Sequence, residues 1–443
     1  MDDTSNSSAP TIIARPEHCI SRSQLSEQAL NVLYGLKKAG YEAYLVGGGV
    51  RDLLLGREPK DFDVATNALP EQVVKVFRNS RLIGRRFKLA HVGYGRNIIE
   101  VATFRGQMDD AIVDSEDHDL HLEDGRIVRD NVYGSLDEDV WRRDFTVNAL
   151  YYNIRDFSVV DYVGGFEDLQ AGILRLIGEP EQRYREDPVR MLRAVRFAVK
   201  LGMKIEEKTE APIAELAHLL ADISPARLFE EVLKLFHGGC ALQSFEMLRH
   251  YDLFVHLFPP TDAVLANEEQ GYPQTLISEA LRNTDVRLGQ GKSVNPAFLF
   301  AAMLWGPMQT YLPKLREQGL PEVQAIQIAT DKAFTQQRKS LSIPRRFAMM
   351  VKEIFVLQAQ LMNRSGRRPL RLLGLQRFRA AYDFLLLRSV ADESLKETAD
   401  WWTKIQTVEG DERDAMLLPS DKKKRRRRPK RRNAKSKSTS TEK

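Results

Sequence analysis

Cysteine is almost absent from this 443-residue chain. Cys19 and Cys240 stand far apart with no C-x-x-C spacing, which excludes a disulfide scaffold or a cysteine-rich zinc site and suits a reducing compartment. Long apolar runs are missing too. The longest, AFLFAAMLW at 297–305, is about half the ~20 residues that a membrane span needs. The opening MDDTSNSSAP is polar and acidic, without the basic and apolar regions of a secretory signal, so no signal peptide is expected. No regular internal repeat is visible. What remains is a cytoplasmic, soluble chain whose 43% hydrophobic content suits a folded protein rather than a disordered one.

Charge is spread unevenly. The last 23 residues hold 13 of the 66 Lys and Arg but 2 of the 61 Asp and Glu, so the tail carries +11 and the rest −6. Ten of the eleven residues 422–432 are basic: Lys422, Lys423, Lys424, Arg425, Arg426, Arg427, Arg428, Lys430, Arg431 and Arg432. Such a run binds RNA phosphates without reading sequence; its blander use is as a solvated basic tail.

The pattern along the chain predicts an α+β fold. Residues 1–20 read as a flexible arm. Helical spacing follows to a stop at Gly40, then a strand at YEAYLV, a short helix at DLLL and a strand at DFDVA. Pro70 opens a helix, and AHVGYG and NIIEVATF are strands. The acidic stretch GQMDDAIVDSEDHDLHLEDG reads as a mobile loop. SLDEDVWRRDFTVNALYYN reads as a helix capped by Ser135, and VVDYVGGFEDL as hairpin-like. Helical signals then dominate to about residue 410. The expected domains are a catalytic head at 21–165 with a mixed sheet and flanking helices, an all-helical neck at 166–255, a helical RNA-binding body at 256–412, and a disordered polybasic tail at 413–443.

Chemistry concentrates in LVGGGVRDLLLGREPKDFDVAT at 45–66. On a strand, Asp61 and Asp63 would share one face while Phe62 points to the core. Two carboxylates so close repel unless a cation lies between them, and Mg²⁺ suits, because it takes few carboxylates and completes its shell with phosphate oxygens and water. Gly47, Gly48 and Gly49 lack a Cβ and let the backbone approach a triphosphate. Arg51 can add a charge-assisted contact. Together these parts suit nucleotidyl transfer with two metal ions. By contrast, GQGKS at 289–293 is no P-loop, since its first glycine would fall on Val286. His91 and His118 have no second ligand at metal spacing, and Trp401 and Trp402 suit core anchors of a final helix.

LVGGGVRDLLLG followed by DFD resembles the signature of class II nucleotidyltransferases of the polymerase-β superfamily. That group contains tRNA CCA-adding enzymes and bacterial poly(A) polymerases. Four later blocks resemble the family's remaining motifs in order: RRDFTVNALYY, DYVGGFEDL, EDPVRMLRAVRFA and SPARLFEEVLKL. The resemblance spans most of residues 20–255. It implies a polymerase-β-like head, Mg²⁺ on Asp61 and Asp63, a nucleoside triphosphate as substrate, and contact of Arg143 with the nucleotide.

A third acid usually joins the pair in such sites, and two compete. Glu100 sits inside an apolar strand at the position that matches the family's third carboxylate. Asp144 lies on the expected helix and could equally orient Arg142 or Arg143. Family members read the incoming base with a protein Asp and Arg, here Asp187 and Arg190. Asp only accepts and Arg only donates, so the pair suits the amine and ring nitrogen of adenine or cytosine and rejects guanine and uracil. Arg193 and Arg196 could reach phosphates or pair with glutamates of the helical region.

That base pattern cannot separate A from C. The polybasic tail, the triple glycine and the lack of an HD-type His-Asp pattern favour template-independent addition of AMP from ATP to RNA 3′ ends, promoting RNA processing and decay. The alternatives are CCA addition to tRNA and an idle RNA-binding protein on the same fold. RNA 3′ ends, ATP and RNA-decay proteins are the expected partners of an expected monomer.

Overall fold

Short β-rich segments punctuated by glycine and polar turns build one eight-stranded sheet. The computed structural model describes residues 9–84, 88–106, 121–123, 126–129, 132–267 and 272–418. Its strands are β1 (Thr11–Ile13), β2 (Ala43–Val46), β3 (Asp63–Thr66), β4 (Ser80–Ile83), β5 (Leu89–Tyr94) and β6 (Asn97–Thr103), then, after a separate hairpin of β7 (His121–Glu123) and β8 (Arg126–Arg129), β9 (Leu150–Asn153) and β10 (Val159–Asp161). The order across the sheet is β1-β10-β9-β2-β3-β6-β5-β4. Every neighbouring pair is antiparallel except β3 and β6, whose parallel register sets Asp63 beside Glu100.

Helix α1 (Glu27–Lys38) is capped by Ser26 and buries Ala29, Val32, Leu33 and Leu36 against β2, β3 and β6. The short α2 (Gly48–Leu54) and α3 (Pro70–Val76) follow. On the sheet a core forms from Val46, Ala65, Phe104, Val140, Ala149, Tyr151, Val160 and Ile177.

Several expectations change. The 1–20 arm instead supplies an edge strand, because the backbone of Thr11–Ile13 finds partners on β10. The acidic stretch lies largely outside the described residues, as do His118 and the basic run 422–432, although β7 and β8 pair at its end. The helix expected through residue 153 stops early. Helix α4 (Leu136–Trp141) gives way to a turn, a 3₁₀ segment at Thr146–Asn148 and then β9, since the Tyr-rich end has strand neighbours to pair with. VVDYVGGFEDL is a strand, a turn and helix α5 (Gly165–Ala171). There the Asp161 carboxylate accepts from the backbone N–H groups of Val163, Gly165 and Phe166 at 3.0, 3.1 and 2.9 Å. A Cβ on Gly165 would stand 2.1 Å from the Thr146 carbonyl oxygen, so only glycine fits.

Helices α6 (Pro180–Glu186) and α7 (Val189–Leu201) come next. Helices Pro225–Phe236 and Ala241–His250 pack on α7. A small parallel pair of β11 (Ile173–Leu174) and β12 (Lys204–Ile205) interrupts the region expected to be purely helical.

The chain divides into two compact units, and not at residue 255. Leu281–Val294 and Gln336–Ile343 belong with the first unit, which runs through Ala266. The reason is polar as well as apolar. Asp285 accepts from the N–H groups of Ala241 and Leu242 at 2.7 and 3.1 Å, satisfying the start of that helix. Buried Gln337 donates from Nε2 to the Leu257 carbonyl at 2.7 Å. In the second unit, Trp402 is fully buried among Leu357, Leu361, Phe378 and Leu385 and donates to the Leu361 carbonyl at 2.8 Å. Trp401 donates to the Met416 carbonyl, so both tryptophans do anchor that helix. The apolar run at 297–305 lies in the buried helix Pro296–Gln309, and among the described residues no helix is long and apolar enough to cross a membrane.

Replacing Gln337 with Leu removes the donor to a buried carbonyl and should cost about 1–3 kcal/mol. Urea unfolding followed by circular dichroism reads this; an unchanged midpoint would contradict the role given to Gln337.

Candidate active site

Strand β2 ends at Val46, and the chain must turn at once into α2. Gly47 makes that turn at φ +66°, a conformation that disfavours side chains. Strand β3 brings its first residues to the same end of the sheet, and α7 crosses nearby. Between them is a cavity of about 540 Å³. Gly47, Gly48, Arg51, Asp61, Asp63, Arg143, Asp144, Asp187, Arg190, Arg193 and Arg196 all line it. Of the residues expected at the site that the structure describes, Glu100 is the one outside this lining.

Asp61 precedes β3 rather than lying on it, and is exposed, whereas Asp63 opens the strand half-buried. Phe62 is half-buried rather than a core residue. Burial, then the Glu100 and Asp61 carboxylates, push the Asp63 carboxyl up to about 6, against a downward pull from Arg143. Acids held this close, with no neutralising side chain strong enough to restore the ordinary carboxylate range, suit a divalent cation. Among the described residues no three potential ligands form a complete metal cage. The acids therefore fit an ion that completes its shell with substrate oxygens and water, as Mg²⁺ does.

The rivals for third acid have opposite surroundings. Glu100 is not buried in its apolar strand: the side chain is 51% exposed, and His91 Nε2 lies 3.2 Å from its Oε1. Alternation along β6 turns it away from the buried Ile99 and Val101. Asp144 is nearly out of solvent and sits in the turn after α4 instead of on a helix. Its Oδ1 accepts from the Phe145 backbone N–H at 2.8 Å and Asn148 Nδ2 at 3.1 Å. Its Oδ2 accepts from Arg193 Nε at 2.7 Å and from Arg193 Nη2. Burial alone would raise its pKa, but Arg193 and these donors hold it below the ordinary value. Asp144 thus orients Arg193, not Arg142 or Arg143.

Arg143 is oriented by Asp139, a residue that sequence reasoning missed. Arg143 Nη2 donates to Asp139 Oδ2 at 3.0 Å, and its Nε donates to the Tyr151 hydroxyl at 2.6 Å. Burial opposes its charge, yet Tyr151 and Asp139 keep its pKa above the usual arginine value. Arg51 is 3% exposed. It donates to Asp52 Oδ1 at 2.9 and 2.7 Å and to Asn148 Oδ1 at 2.6 Å. Asn148, also missed, joins Arg51 to Asp144.

On the facing side, Asp187 Oδ2 accepts from Arg227 Nη2 at 2.6 Å. Arg190 commits Nη1 to the Arg183 carbonyl at 2.6 Å and Glu186 at 2.8 Å. Arg227 was missed because it lies 40 residues beyond Asp187 and looks like any helix-surface arginine. Arg193 is the ion-pair partner of Asp144. Arg196 differs: its guanidinium lies 4.3 Å from the Phe197 ring centroid, and its buried Nε has no hydrogen-bond partner.

Comparison with known proteins decides the family. The chain matches the family model "Poly A polymerase head domain" over residues 43–175, "Probable RNA and SrmB- binding site of polymerase A" over 202–265, and "Polymerase A arginine-rich C-terminus" over 318–436. It is 50% identical to poly(A) polymerase I of Salmonella typhi over 414 residues, 93% of this chain and 89% of that one. The chain belongs to the poly(A) polymerase family. It is a nucleotidyltransferase, and template-independent polyadenylation is the family's reaction. Poly(A) polymerase I of Haemophilus influenzae is 46% identical over 92% of this chain and 90% of its own length. The CCA-adding enzyme of Geobacillus kaustophilus is 40% identical over 52% of this chain and 54% of its length. Among solved structures, the Bacillus stearothermophilus CCA-adding enzyme in complex with CTP matches at 28% identity, TM-score 0.56, covering 84% of this chain and 81% of that one. The Thermotoga maritima CCA-adding enzyme complexed with tRNA shares the fold at 20% identity and TM-score 0.58, covering 87% and 84%. The fold is the polymerase-β-like head and helical body expected from the motifs.

The raised Asp63 carboxyl has a sign that can be measured in metal-free protein. Its folded pKa, near 6, exceeds the unfolded value of 3.8, so the folded state takes up the proton first. Stability should rise as pH falls through 6 and be complete below 3.8, by roughly 1–3 kcal/mol. Asp63→Asn should abolish that increment. Calorimetry in EDTA from neutral to mildly acidic pH compares the two; parallel curves would contradict the acid cluster.

Proposed function

We propose that Asp61 and Asp63 hold Mg²⁺ in this enzyme, with Glu100 the third acid beside them, while ATP donates AMP to an RNA 3′ end in the cytoplasm. When bound, the ions would activate the RNA 3′-hydroxyl and neutralise charge on the departing pyrophosphate. The observation that carries the assignment is geometric: Asp61 and Asp63 line one cavity with Arg51 and Arg143, and Asp63 stands beside Glu100 in the parallel register; burial, then Glu100 and Asp61, lift the Asp63 carboxyl accordingly. Asp144 is assigned a positioning role, since its oxygens are already occupied by Arg193, Asn148 and the Phe145 N–H.

The chain's own groups do the rest. Gly47 and Gly48 leave room for the triphosphate beside Arg51 and Arg143. A Cβ on Gly48 would stand 3.4 Å from Arg51 Nη2, and one on Gly47 3.5 Å from Arg143 Nη1. Asp187 retains acceptor capacity beyond Arg227, because a carboxylate has about four lone-pair sites, and Arg190 retains donors beyond Nη1. The pair can therefore accept from the adenine amine and donate to its ring nitrogen, so that protein groups stand in for a template. Arg227 fixes the carboxylate plane. Polyadenylation is favoured over CCA addition by likeness along nearly the whole chain to the poly(A) enzymes, against about half for the CCA-adding enzyme of Geobacillus kaustophilus. The basic residues 422–432 are proposed to hold RNA by phosphate contacts.

Purified protein with ATP, Mg²⁺ and oligo(A) should extend the primer. Addition of two C and one A to a tRNA lacking CCA, followed by a stop, would overturn the poly(A) reading. Asp61→Asn should abolish extension without lowering the melting temperature. Asp144→Ala, which leaves the one-third-exposed Arg193 unpaired, should destabilise by about 1–3 kcal/mol; the reverse pattern would exchange their roles. Truncation after Pro419 should raise the KM for RNA at moderate salt and flatten its salt dependence, with kcat on saturating short primer nearly unchanged. An unaltered salt slope would remove the tail from RNA binding.

A further inference from the structure

Behind the catalytic cavity lies a second one of about 330 Å³. Lys60, Arg196 and Lys200 line both, so the two spaces meet across a row of cations. The second adds Lys234 and has no Asp or Glu in its lining, whereas the first is lined by five aspartates. Its other wall is largely apolar, with Leu233 and Leu235 beside His237. Buried polar atoms point to a missing ligand. Arg196 Nε and both ring nitrogens of His237 are out of solvent and make no hydrogen bond of good geometry. Uncompensated charge has accumulated here as well. Burial, then Arg193, push Arg196 down to about 10, and burial outweighs Asp52 in lowering Lys200, with Arg51, Arg196 and Lys60 adding to the effect. Glu231, on helix Pro225–Phe236 with Lys234, is buried; its Oε1 accepts from Lys234 at 2.7 Å, and its buried Oε2 has no hydrogen-bond partner. Lys234 is itself half exposed, so its ammonium, which has three donors, can keep Glu231 and still offer a proton to a phosphate.

We propose that this second cavity seats a nucleotide of the RNA primer near its 3′ end, with the phosphodiester on Lys234, Lys200 and Arg196 and the base against Leu233 and Leu235. The proposal rests on the polymerase reading of the first cavity. Four cations line the cavity, and Glu231, the acid that pairs with Lys234, is not part of its lining, so the excess positive charge favours a phosphate-bearing ligand. A nucleotide is favoured over free pyrophosphate because an apolar wall contributes nothing to a diphosphate, whereas it covers a base. The volume also suits a nucleotide, falling at the lower end of the range for small-molecule pockets. Adjacency to Asp61 and Asp63 through shared cations would bring the primer terminus to the acids that serve its 3′-hydroxyl.

The test uses full-length protein with Lys234→Ala and Leu233→Glu. Initial rates are measured over oligo(A) and ATP concentrations, together with inhibition by pyrophosphate and anisotropy of labelled oligo(A) over a salt series. Lys234→Ala should raise the primer KM about tenfold and reduce the salt slope of binding by about one. The KM for ATP and the pyrophosphate inhibition should move by less than about twofold. Leu233→Glu should raise the primer KM further. Lys234→Gln, which can still donate to the buried Glu231, is measured beside it as a control for folding; primer KM unchanged in both variants would overturn the proposal. An equal rise in the KM for ATP would reassign the cavity to the triphosphate, and weaker pyrophosphate inhibition with normal primer binding would reassign it to the product. If wild-type protein fails to extend any primer, it is the polymerase reading that falls.

Discussion

The ion pair of nearly buried Asp144 with partly exposed Arg193 ties the turn after α4 to α7. Asp144 stands in the turn after α4, Arg193 in the middle of α7, and both oxygens of the carboxylate are used. Through Asn148 the same carboxylate reaches Arg51, and through Arg51 it reaches Asp52 on α2. The glycine turn and α7, the two walls of the catalytic cavity, are thereby linked by one chain of charge-assisted hydrogen bonds. Such a network is costly to break at its inner members, Arg51 and Asp144, whose charges would be left without partners where little water reaches them.

Around that anchor the site divides by sign. Asp63, which opens β3, stands beside Glu100 in the middle of β6 through the parallel register of the two strands, and Asp61 lies just before β3. Arg51, Arg143, Arg190, Arg193 and Arg196 face them. Most of these arginines are held by an acid or a carbonyl outside the acid cluster, Arg143 by Asp139 and Arg193 by Asp144. Their positions are therefore set before any ligand arrives, which is the electrostatic preorganisation that transfer of a phosphoryl group exploits.

Much of this was legible from residues. Glycine, Arg-Asp, a short helix and paired aspartates point to the phosphate-handling turn because their spacing is local. The cavity lining contains nearly every residue that this pattern and the later motifs single out. What escaped was partly non-local. Arg227 lies 40 residues from Asp187 and only the fold joins them, whereas Asp139 and Asn148 stand four residues from Arg143 and Asp144 and escaped because a turn and a 3₁₀ segment replace the expected helix there. Glu100 looked buried because its flanking residues are apolar, yet strand alternation turns it outward. The helix expected through residue 153 failed for a similar reason: β2 and β10 supply partners that intrinsic propensity does not foresee.

The interleaving of the two units has a consequence for how such a protein can be divided. Asp285 and Gln337 return from far along the chain to complete the unit that begins with the sheet. A gene fragment ending after the last catalytic motif would leave a helix start uncapped and a buried carbonyl without its donor. The catalytic portion is thus no detachable cassette, and recombination between relatives has its safest joints where the chain passes from one unit to the other.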